Sequence, residues 1–191
     1  TAPAVLAASI YAAKDDPNAL ILIAPADHAI NDVQSFHEAI KTGIAAVEQG
    51  NLVTFGIQPT HAETGYGYLE LGENPNHNFK PVSRFVEKPN YKHALEMFED
   101  DRYLWNSGIF MFRACDLLEA FEKYKKMMLL GVRKAVEGSV PDLGFLRLEV
   151  NSWEDLENIS LDYAIMEKAN NIVAVPFSAG WSDLGGWDAV L

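Results

Sequence analysis

Three short apolar runs, set among helix-forming sequence, constrain this chain most. Ala19 to Ala24 is bounded by Asp16-Pro17-Asn18 before and Pro25 after, and Leu52 to Ile57 and Ile172 to Phe177 are equally compact. Such runs read as buried strands, and the first, apolar throughout, suits a parallel strand covered on both faces. Between the first two, Asn31 or Asp32 can cap a helix carrying Phe36, Ile40, Ile44 and Val47 on one face. Gly50 is a good stop for that helix. The β-α-β alternation predicts a right-handed crossover and a layered α/β domain.

The rest arranges itself around this frame. Residues 2–13 are Ala-rich with spaced apolar positions and read as a helix. Residues 58–80 read as loop and hairpin around one short strand, Tyr68 to Leu71. Val82 to Val86 is a strand stopped by Pro89, Tyr91 to Phe98 a helix and Ile109 to Phe112 a strand. Residues 115–137 are helical, and Ser160 can cap a helix running to about Asn170. Gly185-Gly186 interrupts the chain before a further helix toward Leu191. The 191 residues suffice for one domain with a sizeable core, and 1–191 is read as a single domain.

Charge narrows the ligand classes. A net charge of −12 argues against nucleic acid and anionic membrane, each of which needs a basic face. It allows a small phosphorylated ligand if a lysine, helix N-termini or a cation compensates locally. No apolar run approaches the ~18 residues of a membrane span, and no signal peptide is visible. The lone Cys115 cannot form an internal disulfide, so a cytoplasmic setting and a buried apolar thiol are expected. The five histidines lack metal-ligand spacing, so a zinc site is not expected.

Five stretches carry the candidate chemistry. Asp27 follows directly on a strand, where open α/β sheets bind ligands, and Asp183 follows apolar sequence with glycines after it. A carboxylate pair of this kind suits Mg²⁺, which favours one or two carboxylates plus substrate phosphate oxygens. Asp27 alone would equally serve as a turn cap. The two glycines of Thr64-Gly65-Tyr66-Gly67-Tyr68 permit close backbone approach to a ligand or a plain hairpin loop. Glu87-Lys88-Pro89 ends a strand. There Glu87 would accept from sugar hydroxyls and Lys88 meet a phosphate, unless both are a solvated pair. Asn106, in Asn106-Ser107-Gly108, offers an amide that can read a sugar hydroxyl, or it marks a turn.

Taken in order, these stretches resemble the sugar-1-phosphate nucleotidyltransferases, and most closely the bacterial mannose-1-phosphate guanylyltransferases. Thr1-Ala2-Pro3-Ala4 is similar to the tail of that family's R-N-T-A-P-A segment near the nucleotide base. Ser160 to Lys168 resembles its S-I-D-Y-A-V-M-E-K segment. The resemblance implies a Rossmann-like, glycosyltransferase-A-like layered sheet with helices on both faces, lacking its first strand. It implies Mg²⁺ on Asp27 and Asp183, a sugar phosphate held by Gly67, Glu87, Lys88 and Asn106, and Asp162 nearby. Thr1, Ala2, Pro3 and Asp27 would face the nucleotide, and Asp27, Lys88 and Asp183 would carry catalysis.

The family's G-G-x-G-x-R-L-x-P phosphate loop has no match here, so truncation at the N-terminus, and at the C-terminus, is expected. The implied partners are GTP and mannose 1-phosphate, giving GDP-mannose and pyrophosphate. A homodimer is allowed for, but the sequence does not fix the oligomeric state. The alternatives are a glucose-1-phosphate transferase using UTP or dTTP, and a non-catalytic sugar-phosphate-binding module. A sugar-phosphate isomerase would need a histidine cluster that the sequence does not offer.

Overall fold

A computed structural model of the chain describes residues 1–73, 78–178 and 180–185. Helix α1 (Ala2–Ala13) leads to strand β1 (Leu20–Ile23) and the two-residue β2 (Ala29–Ile30). Then come α2 (Val33–Val47), β3 (Leu52–Ile57), β4 (Tyr68–Leu71), β5 (Lys80–Val86), α3 (Tyr91–Phe98) and β6 (Tyr103–Arg113). Helices α4 (Ala114–Tyr124) and α5 (Lys126–Glu137) precede a hairpin of β7 (Val140–Asp142) and β8 (Phe145–Arg147). The short α6 (Val150–Glu154) and a π-helical turn (Asp162–Met166) lead to β9 (Ile172–Phe177) and β10 (Trp181–Ser182). The described residues cluster into two compact units. Thr1–Ile21 with Arg113–Asn170 form the first, and Leu22–Phe112 with the chain from Asn171 form the second.

The second unit is built on a sheet in which β6, β3, β9, β5 and β4 lie side by side, with β4 also paired to β6. Every residue of β3 is buried, as its apolar run requires. The parallel pairing expected for β3 is made with β9, over Leu52↔Ile172 to Ile57↔Phe177. β1 and β3 are not neighbours, because β6 comes between them in the sheet order and runs antiparallel to β3. Asp32 caps α2, its carboxylate accepting from the Ser35 N–H at 3.0 Å. That helix buries Ala39, Gly43, Ala46 and Val47. Its Phe36 meets Phe55 and Phe177 in a three-ring cluster with centroids 5.6–6.0 Å apart. Asn90 caps α3 in the same way.

In the first unit, α1 packs against α4 and α5 through Val5, Leu6 and Ile10. The amino terminus of Thr1 and the N–H of Ala2 both donate to the Ile159 carbonyl, at 3.1 and 3.0 Å. Thr1 Oγ1 accepts from the Leu161 N–H at 3.2 Å. These bonds tie the start of α1 to the segment before the π-helical turn.

Several local expectations are corrected. β1 alternates rather than being buried throughout: Leu20 and Leu22 are 49% and 40% exposed, since the strand lies last in the sheet order. β6 starts at Tyr103, not Ile109, so Asn106-Ser107-Gly108 lies inside a strand and not in a turn before it. The register shifts there opposite Thr54 and Gly56, and Ser107 pins the irregularity. Its buried Oγ donates to the Phe55 carbonyl at 2.7 Å and accepts from the Ile109 N–H at 3.2 Å. The helical stretch 115–137 breaks at Lys125, whose φ of −145° leaves the helical region. Ser160 accepts from the Tyr163 N–H at 3.3 Å, but the helix expected to reach Asn170 is only the π-helical turn. Cys115 is half-buried, its Sγ 3.6 Å from Asn18 Oδ1, and so is not a core thiol. The helix expected after Gly185-Gly186 lies outside the described residues.

Candidate functional site

Strand register assembles the first part of the site. Tyr68 pairs with Val86 between β4 and β5, so Gly67 and Glu87 face each other just beyond the ladder. A Cβ at position 67 would stand 2.7 Å from Glu87 Oε2 and 3.2 Å from the Phe85 ring. Gly67 is therefore a glycine of close approach: the missing methyl lets the Glu87 carboxylate lie against the backbone. The Gly67 carbonyl accepts from the Asn106 N–H at 2.8 Å. Asn106 Oδ1 in turn accepts from Thr54 Oγ1 at 2.9 Å and from the Gly108 N–H at 3.3 Å. These bonds set the orientation of the amide.

Lys88 completes this cluster. Its Nζ lies 3.7 Å from Glu87 Oε1, with the lysine side chain well exposed and the glutamate mostly covered. Its φ is +45°, in the left-handed region, and it precedes a proline. Both conditions are unfavourable for a side chain with a Cβ, at about 1–3 kcal/mol for the left-handed backbone. The backbone alone would prefer glycine here, so the lysine side chain is held despite the local conformation.

A two-residue ladder lies next to both aspartates in the chain. β2 and β10 pair antiparallel, Ile30 with Trp181 and Ala29 with Ser182. Carried on by one residue, that register sets Asp183 across from His28, with Asp27 next along the chain. His28 is engaged structurally: its Nδ1 accepts from Trp181 Nε1 at 3.2 Å, and the two rings stand edge to face at 5.3 Å. Asp183 Oδ1 accepts from Tyr66 Oη at 2.8 Å and from the Gly185 N–H at 3.0 Å. Leu184 between them has a φ of +51°. Among the described residues, no group of three or more His, Cys, Asp or Glu side chains gathers as a metal cage.

Residues 63–68 join the two clusters. Glu63 Oε1 accepts from the Gly65 N–H at 2.7 Å, and the Tyr68 hydroxyl bridges the Glu63 N–H and carbonyl, each at 2.9 Å. The Gly65 N–H, aided by His61, holds the Glu63 carboxyl below its ordinary value. Tyr66 stands edge to face against Trp105 at 5.2 Å and Trp181 at 5.4 Å. Burial, and then the Asp183 carboxylate, push its phenol well above the usual value, so it stays protonated. Pro25 lies close to β6: a Cβ at Gly108 (φ +70°) would stand 3.7 Å from Pro25 Cγ.

The second unit thus brings Gly67, Glu87, Lys88 and Asn106 into one cluster; Asp183 is tied to the neighbouring Tyr66, and Asp27 lies two residues before the β2–β10 ladder. Thr1, Ala2, Pro3 and Asp162 belong to the first unit. There Ala2 is fully buried, and Asp162 opens the π-helical turn. Burial, and then the negative charge of Asp162, raise the Glu167 carboxyl. Sequence reasoning missed Tyr66, Glu63 and Thr54 as parts of the site. Only the Glu-x-Gly spacing of Glu63 and Gly65 hints at a side chain bracing the loop.

The nucleotidyl transferase family matches residues 1–191, the whole chain. The chain belongs to this family. It is 42% identical to a mannose-1-phosphate guanylyltransferase of Sinorhizobium fredii and to the xanthan biosynthesis protein XanB of Xanthomonas campestris, over 191 residues in each case. Those matches cover all of this chain but 37% and 40% of the relatives, so the chain spans about two fifths of the curated relatives it matches. The α/β fold follows solved structures closely. Against the mannose-1-phosphate geranyltransferase of Thermus thermophilus the TM-score is 0.85 at 34% identity, covering 99% of this chain and 53% of the other. Against the mannose-6-phosphate isomerase of Helicobacter pylori it is 0.83 at 33%, covering 95% and 70%. Among the described residues, no helix is long and apolar enough to cross a membrane.

Proposed function

We propose that this chain is the nucleotidyl-transfer part of an enzyme that moves GMP from GTP to mannose 1-phosphate, releasing GDP-mannose and pyrophosphate. The observation that carries the reading is the convergence of Gly67, Glu87, Lys88 and Asn106 beside Tyr66, which donates to Asp183. A carboxylate and an amide suited to reading hydroxyls, and an ammonium suited to a phosphate, support this reading, with Asp183 reached through Tyr66. Family membership and the names of the relatives point the same way.

The chemistry asks for positioning and charge neutralisation rather than a covalent protein intermediate. The phosphate oxygen of the sugar attacks the α-phosphorus of the nucleotide in line as pyrophosphate leaves. Lys88 draws the sugar phosphate in as a point charge, and Glu87 and Asn106 orient the ring through its hydroxyls. Gly67 keeps Glu87 close to the sheet. Two carboxylates, with no larger cage of donor side chains among the described residues, fit Mg²⁺, which keeps waters and substrate oxygens in its shell. Asp27 and Asp183 would hold the ion, and it would offset charge on the transferring phosphates. The protein works in the cytoplasm.

Lys88→Ala in the full-length enzyme tests the assignment. The KM for mannose 1-phosphate should rise about ten- to a hundred-fold, the effect of losing one charge-assisted hydrogen bond, with the KM for GTP nearly unchanged. Equal effects on both substrates would refute the role of Lys88.

A further inference from the structure

The Tyr66 hydroxyl reaches Asp183. It donates to Asp183 Oδ1 at 2.8 Å, and the Gly185 N–H reaches the same oxygen at 3.0 Å. A carboxylate oxygen has two lone-pair sites, so these two donors saturate Oδ1. They leave Oδ2 as the oxygen that can meet a cation. The tyrosine is itself fixed: Trp105 and Trp181 clasp its ring edge to face, and Trp181 is anchored by its bond to His28. It is also flanked by glycines, one of which, Gly67, lies against Glu87. Tyr66 is therefore the covalent neighbour of the sugar cluster and the hydrogen-bond partner of the acidic pair.

We propose that Tyr66 is a positioning residue that fixes the Asp183 carboxylate so that one oxygen faces the divalent cation. This rests on the reading of Asp27 and Asp183 as a cation pair. Hydrogen-bond partners of metal-binding carboxylates set ligand orientation, and removing one typically weakens metal affinity or activity about ten- to a hundred-fold. Tyr66→Phe removes only the hydroxyl and keeps the clasped ring, so the fold should survive. The expected loss lies at the lower end, about ten-fold, because the Gly185 N–H still holds Oδ1.

The experiment measures Mn²⁺ binding directly, by the loss of the free-ion electron paramagnetic resonance signal, in full-length wild type, Tyr66→Phe and Asp183→Asn. Kinetic constants are measured alongside. The expected result is strongly weakened Mn²⁺ binding in Asp183→Asn and about ten-fold weaker binding in Tyr66→Phe. The latter should need about ten-fold more metal for half-maximal rate and show a KM for mannose 1-phosphate within about two-fold of wild type. If Asp183→Asn binds Mn²⁺ as wild type does, the cation pair and the proposal both fall. If Asp183→Asn is weakened while Tyr66→Phe is not, the cation pair stands and the positioning role of Tyr66 alone is overturned. A Tyr66→Phe protein with unchanged Mn²⁺ binding but a raised sugar-phosphate KM would place Tyr66 in the sugar cluster instead.

Discussion

Gly67→Ala tests whether the sugar cluster depends on one absent methyl group. Gly67 is not among the glycines with positive φ, so alanine suffers no conformational penalty there and the whole effect falls on contact. The new Cβ would stand 2.7 Å from Glu87 Oε2, where ordinary contact begins at 3.4 Å, and 3.2 and 3.4 Å from the Phe85 ring. The carboxylate must therefore retreat by the difference, 3.4 − 2.7 = 0.7 Å or more. It ends a flexible side chain, so the stability cost should be about 1 kcal/mol, the low end for overpacking. The binding cost should be larger. A hydrogen bond of ordinary length stretched by that amount leaves the bonding range. Losing one bond to a charged group costs about 1.5–3 kcal/mol, or about ten- to a hundred-fold. Initial rates of pyrophosphate release by the full-length enzyme, varying each substrate in turn, should show that rise in the KM for mannose 1-phosphate alone. Thermal unfolding monitors the fold. An unchanged sugar-phosphate KM in a stably folded variant would refute the idea that Glu87, held against Gly67, reads the sugar.

Two further outcomes test the frame around the site. At Gly56 an alanine Cβ would meet Leu104 Cδ1 at 2.5 Å and its Cβ at 3.0 Å, between β3 and β6. Gly56→Ala should thus lower the urea midpoint by an amount worth about 1–3 kcal/mol, and an unshifted midpoint would show that the sheet yields freely. Glu63 is held below its ordinary carboxyl value of 4.5 chiefly by the Gly65 N–H. A depressed folded-state value contributes stability above the unfolded value and loses it as pH falls through the folded one. The stability gap between wild type and Glu63→Gln should therefore be full at neutral pH and shrink below about pH 4.5. A gap that widens on acidification would contradict the bond's role.

The sequence is most legible where a whole element carries one chemical character. Leu52 to Ile57 is apolar apart from Thr54 and is buried throughout. Tyr91 to Phe98 is bounded by a capping Asn90 and forms the expected helix. The middle of β6 misleads because Asn106-Ser107-Gly108 has turn chemistry. Those residues instead form a strand irregularity that Ser107 stabilises by reaching across to Phe55. β2 and β10 are invisible in the sequence because two-residue strands exist only through their pairing. The site's residue types can be named from the sequence, but not their neighbours. That Gly67 serves Glu87, and that Tyr66 serves Asp183, follows from register and side-chain reach, which a linear sequence does not encode.

The place of β9 in the sheet bears on how the protein is made. β9 lies between β3 and β5, yet it leaves the ribosome long after both. From Val86, where β5 ends, to Ile172 is 172 − 86 = 86 residues, roughly 4 to 17 seconds of synthesis at about 5–20 residues per second. Through that interval the nascent chain holds two strands whose central edges have no partner, and such edges invite pairing with other chains. The same late stretch carries Asp183. A nascent polypeptide ending near residue 150 would therefore have every member of the sugar cluster, an open seam through the middle of its sheet, and half of its acidic pair. Chaperone dependence and translational pausing in this protein should be sought between the codons for β5 and β9.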